Sequence, residues 1–360
     1  MNKQESFKII LDQLKDNNIS EYIFLNQSDI SYSHRLRDYC ELFCPNFNKS
    51  WRCPPNVGSI DQNIARCKQY KYGLLLSAYL ELDDETIEKS DEDIYVICRR
   101  KLNPVFHKIG KQIEKFVGQQ VLILRSFCTL CKTCTFPDSP CLFPEISGSS
   151  VESHGIQMVS MMEKFQFSRF SNNRGYTCIA LILFDCDFID NVYFGKKVIL
   201  KGYPPFIEGQ HYVNLLYESG ECCSAIDLKD CKPYKSGIYP LNGAISSSVC
   251  LLCCDSLVTV SLVVNELSKS KIPVQLLVMD THRHSVLHAY SEGIFVTDTI
   301  THFIHNLESE IASRKLIIPR GIFMLKESLH RALPKWEIRV APDKMADLPQ
   351  YLEKITKYNI

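Results

Sequence analysis

The chain predicts two α/β domains, a cysteine-rich one over residues 1–165 and a Rossmann-like, mostly parallel one over residues 176–360. Three observations carry that prediction. Cysteines gather in two short stretches of the first half, Cys40 to Cys53 and Cys128 to Cys141. Beyond Ser248, short apolar runs alternate with helical stretches, the pattern of a parallel sheet with right-handed crossovers. At 360 residues the chain suits two domains better than one, and either half can bury a core.

Each element has its own signal. Phe7, Ile10, Leu11 and Leu14 recur at helical spacing and open the chain with a core-facing helix. Ser59-Ile-Asp-Gln62 reads as a capping box for a helix through Ala65 and Cys67. Tyr72 to Tyr79 is an apolar strand, and Asp83 to Asp93 an acidic, solvated loop. Ile94 to Phe116 reads as helix, and Gln120 to Arg125 as a strand that delivers the chain to Cys128. The polar stretch Gln166 to Gly175 is the expected linker. Strands are expected after it at Cys178–Phe184, Lys197–Leu200 and Tyr212–Tyr217. Five more follow at Val249–Cys254, Val274–Met279, Ile294–Thr297, Gly321–Leu325 and Glu337–Val340, with Asp255-Ser256 capping a helix through Leu267.

Composition excludes some roles. Lys plus Arg equals Asp plus Glu, 41 each, so no global charge recruits nucleic acid or anionic lipid. The start is polar rather than a secretory signal, and no apolar run approaches a bilayer span. Seventeen cysteines without an export signal point to a reducing cytoplasm and to metal or redox chemistry, not to a disulfide framework.

The chemistry lies in the thiols. Cys128, Cys131, Cys134 and Cys141 are spaced C-x2-C-x2-C-x6-C. A thiolate at every third residue lets a loop wrap one metal centre. Iron–sulfur clusters are held by such runs, although the bacterial ferredoxin run ends C-x3-C-P. Tetrahedral zinc could use the same four sulfurs. One or two [4Fe–4S] clusters are the expectation, zinc the alternative. Cys40, Cys44 and Cys53 form a second, three-thiol loop that Pro54-Pro55 stiffens, and Trp51 is placed to shield a cluster from water. Its C-x3-C-x8-C spacing differs from the C-x3-C-x2-C loop of radical S-adenosylmethionine enzymes. Three thiols leave one coordination position, for which Cys67, Cys222 or Cys223 (near Cys231), water or substrate are candidates. Alternatively, all seven thiols serve one cluster and one structural zinc.

Together, Cys40, Cys44, Trp51, Cys53, Pro54 and Pro55 with Cys128, Cys131, Cys134, Cys141, Pro144, Glu152, Gly155 and Ile156 resemble a small cysteine-rich family. That family is described only as predicted metal-binding protein, a domain of unknown function. The resemblance covers residues 1–165. It implies a metal site, with iron–sulfur expected, and supplies no reaction. Asn48 stands where a glycine is expected, in the turn before Trp51.

In the second half, ligands of an open parallel sheet bind beyond the carboxyl ends of its strands. Cys253, Cys254 and Asp255, then Asp280, Thr281, His282, Arg283 and His284, then Asp298 and Thr299 stand at those ends. A catalytic set of Cys254 as thiolate nucleophile, His282 as base and Asp280 follows, with Asp255 and Asp298 as cofactor contacts. The plainer alternatives are buried strand cysteines and carboxylates that cap helices. G-x-G-x-x-G and G-x4-G-K-[ST] are absent, so the standard nucleotide cradles are not expected. Three functions remain. The first is an iron–sulfur enzyme acting on a small molecule where the domains meet, with an electron-donor protein as an open partner. A non-catalytic metal or cluster carrier and an α/β enzyme with structural zinc are the others.

Overall fold

The computed structural model describes residues 3–44, 46–87, 91–167, 171–172, 175–186, 194–201, 232–342 and 345–357. The chain divides into two compact units, Met1–Glu208 and Gly209–Ile360.

The first unit runs α1 (Lys3–Asp16), β1 (Ile19–Asn26), α2 (Arg35–Phe43), α3 (Ile60–Cys67), β2 (Tyr72–Glu81), α4 (Asp84–Ile87), α5 (Asp91–Val117), β3 (Leu122–Leu124), α6 (Met158–Lys164), β4 (Ser171–Asn172), β5 (Gly175–Phe184) and β6 (Val198–Ile199). Its strands form one antiparallel sheet in the order β3-β5-β2-β1-β6, with β4 on β5. Both faces are covered. Ile10 and Leu14 of α1 and Leu102, Phe106 and Ile109 of α5 pack on Phe24, Leu74, Leu76 and Ile182. On the other face Ile156, Met161 and Met162 pack on Leu25, Leu75, Leu181 and Leu183. Two-sided burial is why β2 and β5 are near-continuous apolar runs rather than alternating ones.

This sheet changes the expected division of the chain. Cys178–Phe184 does not open the second unit; it lies in β5, paired with β2 from Tyr72↔Phe184 to Glu81↔Gly175. The described part of the expected linker pairs too, Ser171 with Tyr176 and Asn172 with Gly175. The break falls at residue 208, not between 165 and 176. β1 carried no clean signal because Ser20 and Glu21 interrupt its apolar run. Glu21 is wholly buried there, and its carboxylate meets Lys197 Nζ at 3.2 Å, a partner 176 residues along the chain. The described ends of the expected acidic loop are helical, in α4 and the start of α5.

The second unit runs β7 (Gly237–Leu241), β8 (Val249–Cys254), α7 (Leu257–Ser268), β9 (Val274–Met279), α8 (Val286–Ser291), α9 (Thr297–Leu307), β10 (Lys315–Ile318), α10 (Lys326–Ala332), β11 (Glu337–Val340) and α11 (Leu348–Lys357). Its sheet, β11-β10-β8-β9-β7, is parallel except for the edge strand β7. The fold is therefore α/β with two sheets, the second mostly parallel as expected.

Two expected strands of this unit are not strands. Ile294–Thr297 leads into α9, because Thr299 Oγ1 satisfies the local backbone, accepting from Val296 N at 3.2 Å and lying 2.6 Å from the Ile294 carbonyl. Gly321–Leu325 lies in a 3-10 turn, and the strand is Lys315–Ile318, stopped by Pro319. The expected strand Tyr212–Tyr217 lies outside the described residues. Among the described residues, no helix is long and apolar enough to cross a membrane.

Candidate metal centre

Regular elements deliver both cysteine loops. Cys40 lies in the last turn of α2, and Cys44 ends that helix by turning to an extended backbone (φ −79°, ψ 121°). The loop beyond closes on itself: Asn48 N donates to the Pro54 carbonyl at 2.8 Å, and Asn56 Nδ2 to the Ser50 carbonyl at 3.1 Å. Asn48 adopts φ 53°, the left-handed conformation for which a glycine was expected and which asparagine tolerates. Cys128 follows β3, and Thr135 Oγ1 donates to the Pro140 carbonyl at 2.9 Å to turn the chain toward Cys141.

The two loops meet. Trp51 Nε1 donates to the Ser139 carbonyl at 2.9 Å, and the Trp51 ring meets Phe136 edge-on at 5.0 Å. Arg52 reaches the same loop, donating from Nε to Ser147 Oγ at 2.7 Å and from a terminal nitrogen to the Pro144 carbonyl at 2.8 Å. The Ser50 hydroxyl hydrogen-bonds both Cys53 and Cys134. Cys53 senses Cys44, Cys128 and Cys134, and Cys128 senses Cys131 and Cys141. The structure thus brings all seven thiols into one region, where the spacing alone suggested separate sites.

Behind them, the residues of the second motif brace the first. Gly155 (φ 74°) accepts from Ser33 N at 2.7 Å through its carbonyl, just before α2, and a Cβ there would lie 2.8 Å from Ile64. Glu152 faces Cys40 and Cys44, and burial pushes its carboxyl above the usual range. Cys67 does not complete the three-thiol loop. It is fully buried in the apolar layer with Ile30 and Met161. Cys222, Cys223 and Cys231 lie outside the described residues.

The electrostatics suit metal ligands that are protonated until a cation arrives. Burial, helped by neighbouring thiols, lifts Cys40 and Cys53 to about 12. Cys44 and Cys128 are raised by the same cause. Cys134 goes the other way. Burial alone would raise it, but the backbone N–H groups of Phe136 and Trp51 and the Ser50 hydroxyl outweigh burial and hold it below the ordinary thiol range. Arg125, buried beside Cys128, is lowered by burial to about 10, and the thiol pulls it back up. Sequence reasoning did not find Ser50, Arg52 or Arg125, because single polar residues near a cysteine carry no pattern of their own.

The donor set is all sulfur, which fits zinc or iron–sulfur and disfavours magnesium or calcium. Among the described residues, no three of these sulfurs lie mutually within 4.8 Å. Four sulfurs on one tetrahedral zinc, each about 2.3 Å from the metal, would stand about 3.8 Å apart.

The residues expected to act in the second unit are differently placed. Cys254 is wholly buried in β8, so it is not presented as a nucleophile. Asp255 Oδ1 accepts from Thr281 N at 3.0 Å, Thr281 Oγ1 at 2.8 Å and Arg283 N at 2.9 Å, which commits it to the turn after β9. In that turn His282 and Arg283 are both left-handed, φ 57° and 62°, and Asp280 Oδ1 accepts from His282 N at 2.9 Å. His282 is exposed. Asp298 lies in the first turn of α9, not after a strand. It shares an open cleft of about 400 Å³ with Asp280, His302 and Phe303. Asp280 and Asp298 are brought together; Cys254 is not part of that cleft.

Over 79 residues the chain is 35% identical to the corrinoid/iron-sulfur protein large subunit of Moorella thermoacetica, a stretch covering 21% of this chain and 18% of that protein. Residues 24–184, which include all seven thiols, match the family described as Predicted metal-binding protein (DUF2284). Residues 24–184 of the first unit therefore match that predicted metal-binding family, and the match ends before the second unit begins.

Proposed function

We propose that the seven thiols hold one or two [4Fe–4S] clusters and that the chain is a redox or cluster-dependent enzyme acting on a small molecule. The observation that carries this reading is the meeting of both cysteine loops, which gathers seven thiols where one tetrahedral zinc takes four. The partial likeness to an iron–sulfur protein supports the same choice of metal. A bound cluster would supply one-electron transfer or a Lewis-acidic iron. The chain's own residues would set its surroundings. Trp51 and Phe136 cover it, Ser50 orients Cys53 and Cys134, and the Arg125 charge offsets thiolate charge at Cys128. The test is redox titration of protein purified without oxygen. A brown chromophore bleached by dithionite and restored by a mild oxidant is expected; colourless protein with no reducible centre would sink the reading.

A carrier role has one observation in its favour. Leu142, Phe143 and Ile146, 63%, 41% and 40% exposed, follow Cys141 closely in the chain and would give a partner an apolar footing. Loss of iron from the loaded protein to a metal-free ferredoxin, without catalytic turnover, would favour this reading over the enzyme.

A further inference from the structure

The second unit carries a row of imidazoles that the proposed function does not use. His282, His284 and His288, spaced H-x-H-x3-H, follow the carboxyl end of β9. Their rings line up. Those of His282 and His284 are 6.4 Å apart and within 18° of parallel, and those of His284 and His288 are 3.9 Å apart at 36°. Ring nitrogens of His284 and His288 lie within 4.8 Å of each other. Two imidazole nitrogens on one tetrahedral zinc, each about 2.0–2.1 Å from the ion, stand about 3.3 Å apart. The difference is within the reach of side-chain rotation.

The backbone beneath the row is fixed. His284 N donates to the Thr281 carbonyl at 3.0 Å, and Thr281 Oγ1, wholly buried, lies 2.8 Å from the His284 carbonyl. Asp255 pins the same turn through the backbone N–H groups of Thr281 and Arg283. His288 lies in α8, and Glu292, four residues further on, places Oε1 3.5 Å from His288 Nε2. Histidines that ligate a metal usually donate their second ring N–H to a carboxylate, which fixes the ring and raises its basicity. Glu292 stands where such a carboxylate is needed, and its side chain is 22% exposed.

We infer that His284 and His288 bind one divalent transition-metal ion of the class that favours imidazole, such as zinc, with Glu292 orienting His288. The remaining positions on the ion go to water or to an incoming ligand, so the site is open rather than closed. This centre belongs to the second unit, shares no residue with the seven thiols and does not depend on the metal they hold.

The test is equilibrium dialysis of the full-length protein, purified without oxygen, against zinc, with zinc, iron and sulfide measured per chain. One zinc is expected in addition to the metal of the thiol loops. His284→Ala should lose that zinc and leave the loop metal unchanged, whereas Cys53→Ser should lose loop metal and keep it. Glu292→Gln should weaken it about tenfold or more, the usual effect of removing a carboxylate behind a ligating histidine. His305→Ala, an exposed histidine on α9, should keep the zinc. X-ray absorption should show, for the zinc lost in His284→Ala, nitrogen or oxygen at about 2.0–2.1 Å and no sulfur at about 2.3 Å. His288 is 9% exposed and its replacement risks the fold, so His284→Ala decides, with His284→Gln as the second variant and a urea midpoint showing that each folds. No zinc beyond the loops, zinc retained in folded His284→Ala, equal loss in His305→Ala, or a sulfur shell around the zinc in question would overturn the inference.

Discussion

Thiols in the two units of this chain have opposite surroundings. Cys128, Cys131, Cys134 and Cys141 are partly exposed on a loop held by hydrogen bonds, with arginine and hydroxyl groups around them. Cys250, Cys253 and Cys254 are 0%, 2% and 0% exposed inside β8, among valines, leucines and isoleucines. A hydrogen bond to its neighbour Cys254, together with burial, holds the Cys253 thiol protonated, whereas the loop carries four partly exposed sulfurs. Cysteine density alone does not make a site. What matters is whether the backbone converges the sulfurs and whether donors or cations lie beside them.

The largest expected effect breaks this comparison directly. Replacing Cys131 or Cys53 by serine should remove most of the bound metal. Cys254→Ala should leave metal content unchanged and lower stability by about 1–2 kcal/mol, the lost packing of one small buried side chain, read as a urea midpoint. Retained metal in both loop variants would erase the distinction.

A pH effect is expected from the first unit. His154 is 1% exposed, and burial lowers its pKa to about 4, partly offset by the Ser150 carbonyl. The unfolded chain, titrating near 6.5, therefore binds the proton first. Stability is full above about pH 6.5 and falls as pH drops toward 4, by about 3 kcal/mol from this group. His154→Gln should flatten that part of the pH profile; an unaltered profile would contradict the assignment.

In the second unit, Asp255 holds the turn after β9 through three donors, and two of its residues are left-handed. Asp255→Ala should cost about 2 kcal/mol, measured by denaturant, with the metal of the thiol loops untouched. The smallest effect is kinetic. In metal-free protein, mapping of alkylated peptides should find Cys134 reacting before Cys40 and Cys53, because its thiolate is the one the loop stabilises.

Local signals were legible in the sequence. The Ser59 and Gln62 capping box forms both of its hydrogen bonds, and β8 and β9 are the buried runs their composition indicates. The glycine-like turn at Asn48 was readable from the motif that surrounds it. What failed depends on distant partners. β5 belongs to the first sheet because it pairs with a strand about a hundred residues earlier, and β1 tolerates Glu21 only because Lys197 arrives to meet it. The meeting of the two cysteine loops through Trp51, Arg52 and Ser50 is likewise tertiary. So is the buried Arg125 beside Cys128, which no spacing rule announces.

The most direct test of the account is iron, zinc and acid-labile sulfide per chain in protein purified without oxygen. About four or eight irons with matching sulfide are expected, eight meaning that both loops are loaded. One or two zincs without sulfide would contradict the cluster and leave the seven thiols as a structural metal site.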